Sequence, residues 1–157
     1  MSANPEHVKS QEEPAWRIHA DDVRWSNGLN MVAVSTLSPR VVGIRITGAA
    51  NEATFEGFEP ALARFLKYST GDAEMFWDAE LLSSHDGPMR DRTLALVSYH
   101  RERWSAAHIL YRSPLVGVTI TAASLLLGSS VRGYRNRGHF RHAIDRALTN
   151  HKLPDEQ

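Results

Sequence analysis

The residues with the greatest potential for chemistry lie in the segment Ser83-Ser84-His85-Asp86-Gly87. Serine, histidine and aspartate are the residue types of a hydrolytic triad, in which the histidine removes the proton of the serine nucleophile. Residues adjacent in sequence seldom adopt that geometry, and the chain has no Gly-x-Ser-x-Gly turn that would expose a nucleophile. We therefore predict no catalytic residue here, and a chain that is not an enzyme.

The same segment has the composition of a helix N-terminus. Gly87 and Pro88 lead into "PMRDRTLALVSYHRER", whose apolar residues recur at helical spacing. Proline is favoured in the first turn of a helix, where its missing amide hydrogen is not needed. The side chain of Ser84 or of Asp86 can accept an amide hydrogen that is free there. We predict that one of these two residues caps the helix.

Other acidic and histidine side chains have spacings that could bind a cation. Asp78 and Glu80 are two residues apart on a predicted strand and share a face, where paired carboxylates can do acid–base chemistry or bind a hard metal. No third acidic residue accompanies them at a fixed spacing. His139 and His142 are three residues apart, but the arginines beside them oppose a cation. We predict no metal and no cofactor, and we expect His108 to be a hydrogen-bonded core or edge histidine.

Basic residues are concentrated in the segment "VRGYRNRGHFRHAIDR" at 131–146. Arginines interleaved with an aromatic residue could follow a phosphate backbone. The formal net charge of the chain is zero, however, and no nucleic-acid-binding motif is present. A solvated face or a docking face for an acidic partner is favoured, and no nucleic acid is predicted as a partner.

The composition of the chain bounds its class. Its 157 residues, 42% of them hydrophobic, suit one compact domain, which we place at 15–150 between polar tails at 1–14 and 151–157. The absence of cysteine excludes disulfides and thiolate metal sites, and is compatible with a reducing cytoplasm. The N-terminus has no apolar core of a secretory signal. We predict a cytoplasmic protein.

The hydrophobic pattern predicts strands and helices in the order β-β-β-α-β-α-β-α-β-α. A half-buried strand runs from Trp16 to Trp25, and Asn27-Gly28 is typical of the tight turn before the next strand. Pro60 removes a helical hydrogen bond, so the first helix is predicted to begin near it and to end at Gly71. The other predicted strands are "MVAVSTL", "VVGIRIT", "AEMFWDAEL", "SAAHILYRS" and "VRGYR", and the last helix is "GHFRHAIDRALTN".

The most apolar segment runs from Pro114 to Leu127. Ser113-Pro114 before it and Gly128 after it are signals for the start and end of a helix. It is about five residues too short to span a membrane, so we predict a buried helix of the core and no membrane span. Its small residues would let it pack closely on the sheet, or it could cover a pocket for an apolar ligand.

This pattern resembles the STAS superfamily, in particular its SpoIIAA-like branch. The stretches that carry the resemblance are "VVGIRITGAANEATFEGF", "FWDAE", "AHILYRSPLVGV" and "YRNRGHFRHAIDRAL", and together they span about 16–148. The resemblance implies an α/β fold with a mixed β-sheet and helices packed mainly on one face. It also implies a regulatory protein without catalysis that binds a partner protein in a bacterial-type signalling pathway.

In anti-sigma-factor antagonists of that family, a kinase phosphorylates a serine in an Asp-Ser-Ser/Thr-Gly loop at a helix N-terminus. Ser83 and Ser84 occupy the corresponding place in this sequence, and they are the candidate phosphosites. The order here is Ser-Ser-His-Asp-Gly, with no aspartate directly before the serines. Added phosphate would interact favourably with the helix dipole but would lie beside Asp86.

We therefore predict a regulatory module that acts by protein–protein interaction. The alternative is a carrier or sensor of a small apolar ligand, bound between the helix at 114–127 and the sheet. Homo-oligomerisation is left open. The predicted partner-binding residues are Asp78, Glu80, Ser83, Ser84, His85, Asp86 and Arg90.

Overall fold

The computed structural model describes residues 23–26 and 30–151, which form one twisted sheet and four helices. The predicted tail at 1–14, the Asn27-Gly28 turn and residues 152–157 of the tail predicted at 151–157 lie outside the described residues. Of the strand predicted from Trp16 to Trp25, the described part begins at Val23, where a strand runs from Val23 to Ser26. The elements in chain order are β1 (Val23–Ser26), β2 (Met31–Ser38), β3 (Val41–Ala50), α1 (Glu52–Lys67), β4 (Ala73–Ala79), β5 (Leu82–His85), α2 (Gly87–Tyr99), β6 (Trp104–Tyr111), α3 (Pro114–Leu127), β7 (Val131–Tyr134) and α4 (Arg137–Asn150).

The main path of the sheet has the strand order β1-β2-β3-β4-β6-β7. The first three strands pair antiparallel, as expected for hairpin connections. The strands β3, β4, β6 and β7 pair in parallel, with helices between them in the chain. The predicted mixed α/β sheet is therefore confirmed.

Two apolar clusters cover the two faces of the sheet. Successive side chains of a strand alternate between the faces, so Met75 and Trp77 on β4 join one cluster and Phe76 joins the other. Helices α1, α2 and α3 cover the first face, and α4 covers the second. The prediction that helices pack mainly on one face is confirmed, with α4 on the opposite side. The second cluster consists of Val41, Phe76, Leu110, Phe140 and Ala147.

The predicted start of the first helix near Pro60 is wrong. Helix α1 begins at Glu52, because Asn51 and Thr54 form a capping box: the Asn51 side chain accepts from the Thr54 amide at 3.2 Å, and the Asn51 amide donates to the Thr54 hydroxyl at 3.0 Å. Pro60 lies inside the helix with its ring exposed. Burial of Phe55 and Phe58 before the proline holds the first turns in helical form, so packing outweighs the lost hydrogen bond.

The predicted strand "AEMFWDAEL" corresponds to β4, and the structure has one further strand after it that the sequence did not predict. Strand β4 ends at Ala79, and a separate strand β5 follows a turn and pairs with β3. Ser83, Ser84 and His85 therefore belong to a strand, and only Asp86 lies in the connection to α2.

Helix α3 has the predicted bounds, but only one of its sides is buried. Val116, Ile120 and Ala123 face the sheet, whereas the outward side has four exposed apolar side chains. These are Leu115, Val118, Leu125 and Leu126. The prediction of a buried helix holds for the inward side alone, because no element of the described chain packs over the outside. Within residues 23–26 and 30–151, no helix combines the length and apolar character that crossing a membrane requires.

We expect Pro60→Ala to raise the free energy of unfolding by about 1 to 2 kcal/mol, since it restores a helical amide at an exposed position where proline is disfavoured. Urea denaturation measures the change. Pro39→Ala, at an exposed turn between β2 and β3, is the matched control and should be neutral or slightly destabilising. A Pro60→Ala protein no more stable than the wild type would contradict the expectation.

Candidate functional site

The junction between β5 and α2 is held by the carboxyl end of β3. Gly48 pairs with Leu82 and Ala50 with His85, with a register shift after Gly48. Gly48 has a φ of 85°, a left-handed conformation that glycine adopts without the strain of a side chain. This bend lets β3 pair with β4 over its first half and with β5 at its end. The junction is therefore positioned by a rigid strand.

Backbone hydrogen bonds and a helix cap fix the two ends of this junction. The Gly48 amide donates to the Leu81 carbonyl at 3.0 Å, and the Asp86 amide donates to the Ala50 carbonyl at 3.2 Å. The Asp86 carboxylate accepts from the Met89 amide at 2.8 Å and caps α2. Of the two capping candidates, Asp86 is the one that caps, and the capping prediction is confirmed.

Four side chains at this junction point to solvent. We call Leu81, Ser83, Asp86 and Arg90 the β5–α2 surface; all four are exposed, and Leu81 is 61% exposed. The Arg90 Nε donates to the Asp91 carboxylate at 3.1 Å. Sequence reasoning missed Leu81, because an apolar residue after "FWDAE" was interpreted as part of the strand interior. Leu81 is thus an exposed apolar residue beside polar and charged side chains.

His85 turns away from the serines and towards α3. Its Nε2 lies 2.8 Å from the Thr119 hydroxyl, and its ring is partly buried. No hydrogen bond of the described residues joins His85 to Ser83, Ser84 or Asp86. The residue types of a triad are thus adjacent in sequence without being assembled.

A cavity of about 120 Å³ lies between α2, α3 and the sheet. Its wall is apolar apart from a few polar side chains, which include His85, Arg90 and Thr119. The buried Nδ1 of His85 has no hydrogen-bond partner among the described residues. Burial lowers the pKa of His85, and the charge of Arg90 lowers it further, while Asp86 opposes the change. The ring is therefore neutral near pH 7.

The carboxylates Asp78 and Glu80 lie on the α4 side of the sheet and bind arginines. Asp78 is 2% exposed and accepts from Arg45 at 2.9 Å and from Arg137 at 3.1 Å. Glu80 accepts from Arg137 at 2.7 Å and from Arg112 at 2.8 Å. Burial lowers the pKa of Arg137, but the carboxylates outweigh this, and the pKa is raised. In this structure Asp78 is therefore a structural anion that a partner cannot touch directly.

A second polar network, which sequence reasoning did not predict, lies on the same side of the sheet. The buried His108 contacts the Tyr134 hydroxyl at 2.8 Å through Nδ1 and Glu74 at 3.0 Å through Nε2. His151 contacts the other Glu74 oxygen at 3.0 Å, although the sequence places it in the C-terminal tail. The expectation of a hydrogen-bonded His108 is confirmed. Hydrogen bonding from His108 lowers the pKa of Glu74 against the opposing effect of burial.

Neither acidic network forms a metal site. In the part of the chain that the structure describes, no three histidine or acidic side chains converge in a way that could hold a metal ion.

Similarity to solved structures identifies the fold. An uncharacterized protein from Shewanella loihica PV-4 with a SpoIIAA-like fold matches with a TM-score of 0.59 and 15% sequence identity, over 78% of this chain and 98% of that chain. The chain has a SpoIIAA-like fold. The unphosphorylated anti-sigma factor antagonist SpoIIAA matches with a TM-score of 0.54 and 20% identity, over 75% of this chain and 96% of that one.

The phosphorylated form of the Bacillus cell fate determinant SpoIIAA also matches, with a TM-score of 0.51 and 18% identity, over 73% of this chain and 97% of that chain. Comparison with protein-family models gave no match, and neither did comparison with curated protein sequences. The STAS-like fold predicted from the sequence is confirmed at the level of structure.

The junction between β5 and α2 departs from the serine loop that the resemblance implied. Ser83 and Ser84 lie in β5, three and two residues before the N-cap, so neither serine stands at the helix N-terminus. Asp86 supplies a carboxylate there instead. Ser83 is exposed and Ser84 half-buried, so Ser83 is the more accessible candidate phosphosite.

We expect Asp78→Ala to lower the free energy of unfolding by about 3 kcal/mol, because it removes a nearly buried carboxylate that accepts hydrogen bonds from both Arg45 and Arg137. Urea denaturation measures the change. Asp72→Ala is the control: its ion pair with Arg40 is nearly half exposed, and its loss should cost less than about 1 kcal/mol. Equal losses in the two variants would show that the Asp78 cluster does not stabilise the fold.

We expect the free energy of unfolding to fall in acid, because Glu74 becomes protonated there. Its pKa is lowered in the folded chain, so its stabilising contribution is present above the ordinary glutamate pKa and is lost as the pH falls through the folded value. Glu74→Gln should cost about 1 to 2 kcal/mol at pH 7 and flatten the decline of stability in acid. Unfolding free energies between pH 3 and 7, the range spanning ordinary carboxyl titration, test this against the exposed Glu102→Gln. An unchanged acid profile would contradict it.

Proposed function

We propose that this chain is a non-enzymatic, STAS-like regulatory module that binds a partner protein through the β5–α2 surface. The observation that carries the proposal is the exposure of Leu81, Ser83, Asp86 and Arg90 together on a junction fixed by β3. In open α/β sheets, functional groups collect at the carboxyl ends of the parallel strands. The likeness to SpoIIAA, an anti-sigma factor antagonist, supports a signalling role by analogy of fold.

The chemistry of this surface favours a peptide or protein partner. Leu81 can be buried in an apolar pocket of the partner, which is the usual centre of a binding interface. Asp86 and Arg90 carry opposite charges, so they select the orientation of the partner more than they increase the affinity. The half-buried His85 contacts Thr119 of α3, and Glu80 pairs with Arg137 and Arg112, so these two residues and the half-buried Ser84 would contribute indirectly. Asp78 would act only through its arginine partners.

We propose that phosphorylation, where it occurs, acts at Ser83. A phosphate on this exposed residue would add negative charge three residues before Asp86, and the carboxylate would repel it. The added charge would also hinder burial of the neighbouring Leu81 by a partner. Phosphorylation would therefore weaken the complex.

Two substitutions test the interface without removing the helix cap. Asp86→Asn keeps a good N-cap while removing the charge, and Arg90→Glu reverses a charge at an exposed position. We expect the combined variant to bind a purified partner at least about tenfold more weakly, with nearly the same thermal midpoint, since both changes lie on the surface. The partner is first captured from the native cytoplasm by the wild-type chain, and its affinity is then measured by titration.

Arg141→Glu is the matched control, because Arg141 is an exposed arginine of α4 on the opposite side of the sheet. It should leave the affinity unchanged. If the partner binds the combined variant as tightly as it binds the wild type, the interface does not lie on the β5–α2 surface and the proposal is wrong.

A second candidate function is carriage or sensing of a small apolar ligand. The cavity of about 120 Å³ beneath α3 favours it, since a tightly packed interior at this place would leave no room for a ligand. Cytoplasmic location and homo-oligomerisation remain predictions from the sequence.

A further inference from the structure

The outer side of α3 carries a row of apolar residues at the spacing of a helix–helix contact. Leu115, Val118, Ala122 and Leu125 are all exposed, and they follow one another at intervals of three, four and three residues. This spacing places them in one line along about three turns of the helix, as the core positions of a coiled coil are placed. We call these four residues the α3 seam. Its two central and terminal side chains Val118 and Leu125 are 68% and 85% exposed.

A different set of residues fixes α3 on the sheet. Val116, Ile120 and Ala123 are buried on the inward side of the helix. Gly117 lets the helix come close to β6, because a Cβ atom there would lie only 2.9 Å from the ring of Tyr111. The α3 seam is therefore presented by a helix that is already docked, and docking does not use the seam.

Burial of the α3 seam by a partner would leave no charge of α3 unpaired. None of the 14 residues of α3 is charged, whereas α1, α2 and α4 all carry charged side chains. The exposed Thr121 donates its hydroxyl to the Gly117 carbonyl at 3.1 Å, so this hydroxyl keeps a hydrogen bond when water is removed. The outer side of α3 thus has the composition of a buried surface.

The parts of the chain outside the described residues do not match this seam. Residues 1–14 contain no leucine, isoleucine or aromatic residue, and residues 152–157 follow α4, which packs on the opposite face of the sheet. Trp16 and Ile18 alternate at strand spacing and come shortly before β1, which lies at the opposite end of the sheet from β7. Helix α3 contacts β7. A second copy of the chain, in contrast, brings an identical seam.

The α3 seam is complementary to itself when two copies pack antiparallel across a two-fold axis. Leu115 of one copy then lies opposite Leu125 of the other, and Val118 lies opposite Ala122. The small alanine leaves room for the valine at the centre, so the helix axes can approach to about 8 to 10 Å. Each contact occurs twice, as in any two-fold interface. We infer that two copies of this chain form a symmetric dimer through antiparallel packing of their α3 seams.

The area of the seam sets the strength of this dimer. A helix of 14 residues is about 21 Å long and about 12 Å wide, so its outer half offers about 400 Å². Stable interfaces bury about 800 Å² of each partner, and weak ones bury less. We therefore expect a weak, reversible dimer, with half of the chains paired at a concentration of about 10 to 300 µM. The seam shares no residue with the β5–α2 surface, so this dimer goes beyond the proposed function.

Sedimentation velocity of the full chain between about 1 µM and 1 mM tests the inference. The wild type should change from monomer to dimer as the concentration rises. Leu125→Glu places a carboxylate opposite Leu115 and should raise the dissociation constant at least about tenfold, with nearly the same thermal midpoint because Leu125 is exposed. Tyr68→Glu is the control, since Tyr68 is also an exposed apolar residue but lies at the end of α1. It should dimerise as the wild type does.

Disulfide trapping tests the antiparallel geometry. The chain has no cysteine, so single cysteines can be introduced without competing thiols. A mixture of Val118→Cys and Ala122→Cys chains should form a mixed disulfide dimer faster than either variant crosslinks with itself, because the two positions face each other across the axis. If each variant crosslinks with itself faster, the α3 seams do not pack antiparallel and the inference is overturned.

Two further results would overturn the inference. If Leu125→Glu dimerises as tightly as the wild type, the interface lies elsewhere. If the wild type stays monomeric up to about 1 mM, the seam does not bind a second copy. Vesicles made of equal parts phosphatidylcholine and phosphatidylglycerol then identify a different occupant: co-sedimentation of the wild type, but not of Leu125→Glu, would show that the outer side of α3 binds a lipid surface instead.

Discussion

The parallel strands β3, β4 and β6 lie at the centre of the sheet, and apolar side chains project from both of their faces. Parallel strands are stable only when both faces are covered, so helices have to pack on both sides. Helices α1, α2 and α3 meet this requirement on one face, and α4 meets it alone on the other. The two-sided burial determines which polar groups become buried and which surfaces remain open.

The face beneath α4 carries buried polar residues, which would destabilise the folded state if they had no hydrogen-bond partners. Asp78 and His108 are almost completely buried, and each has hydrogen-bond partners from elements that come later in the chain. Arg137 begins α4, and Tyr134 ends β7. These contacts join residues that are 59 and 26 positions apart in the chain. The polar networks therefore couple docking of α4 to completion of the sheet.

The opposite face is less tightly filled where α2 and α3 meet the sheet. The cavity there and the exposed outer side of α3 are both consequences of an apolar helix that is covered on one side only. His85 borders the cavity, whereas its neighbours in sequence form the β5–α2 surface. Leu82 and His85 of β5 line the cavity, whereas Ser83 between them is exposed, and the register shift between β3 and β5 at this point interrupts the regular alternation of side chains.

Hydrophobic periodicity and local capping residues by themselves determined the order of the long elements and the bounds of α3, and narrowed the cap of α2 to Ser84 or Asp86, because these features depend on neighbours within a few residues. Local rules misplaced the start of α1, since burial of Phe55 and Phe58 outweighs the penalty of Pro60. Strand β5 depends on pairing with the bent end of β3, and burial of Asp78 depends on arginines remote in sequence. Only the tertiary structure could decide these features, because their partners come together when the chain folds.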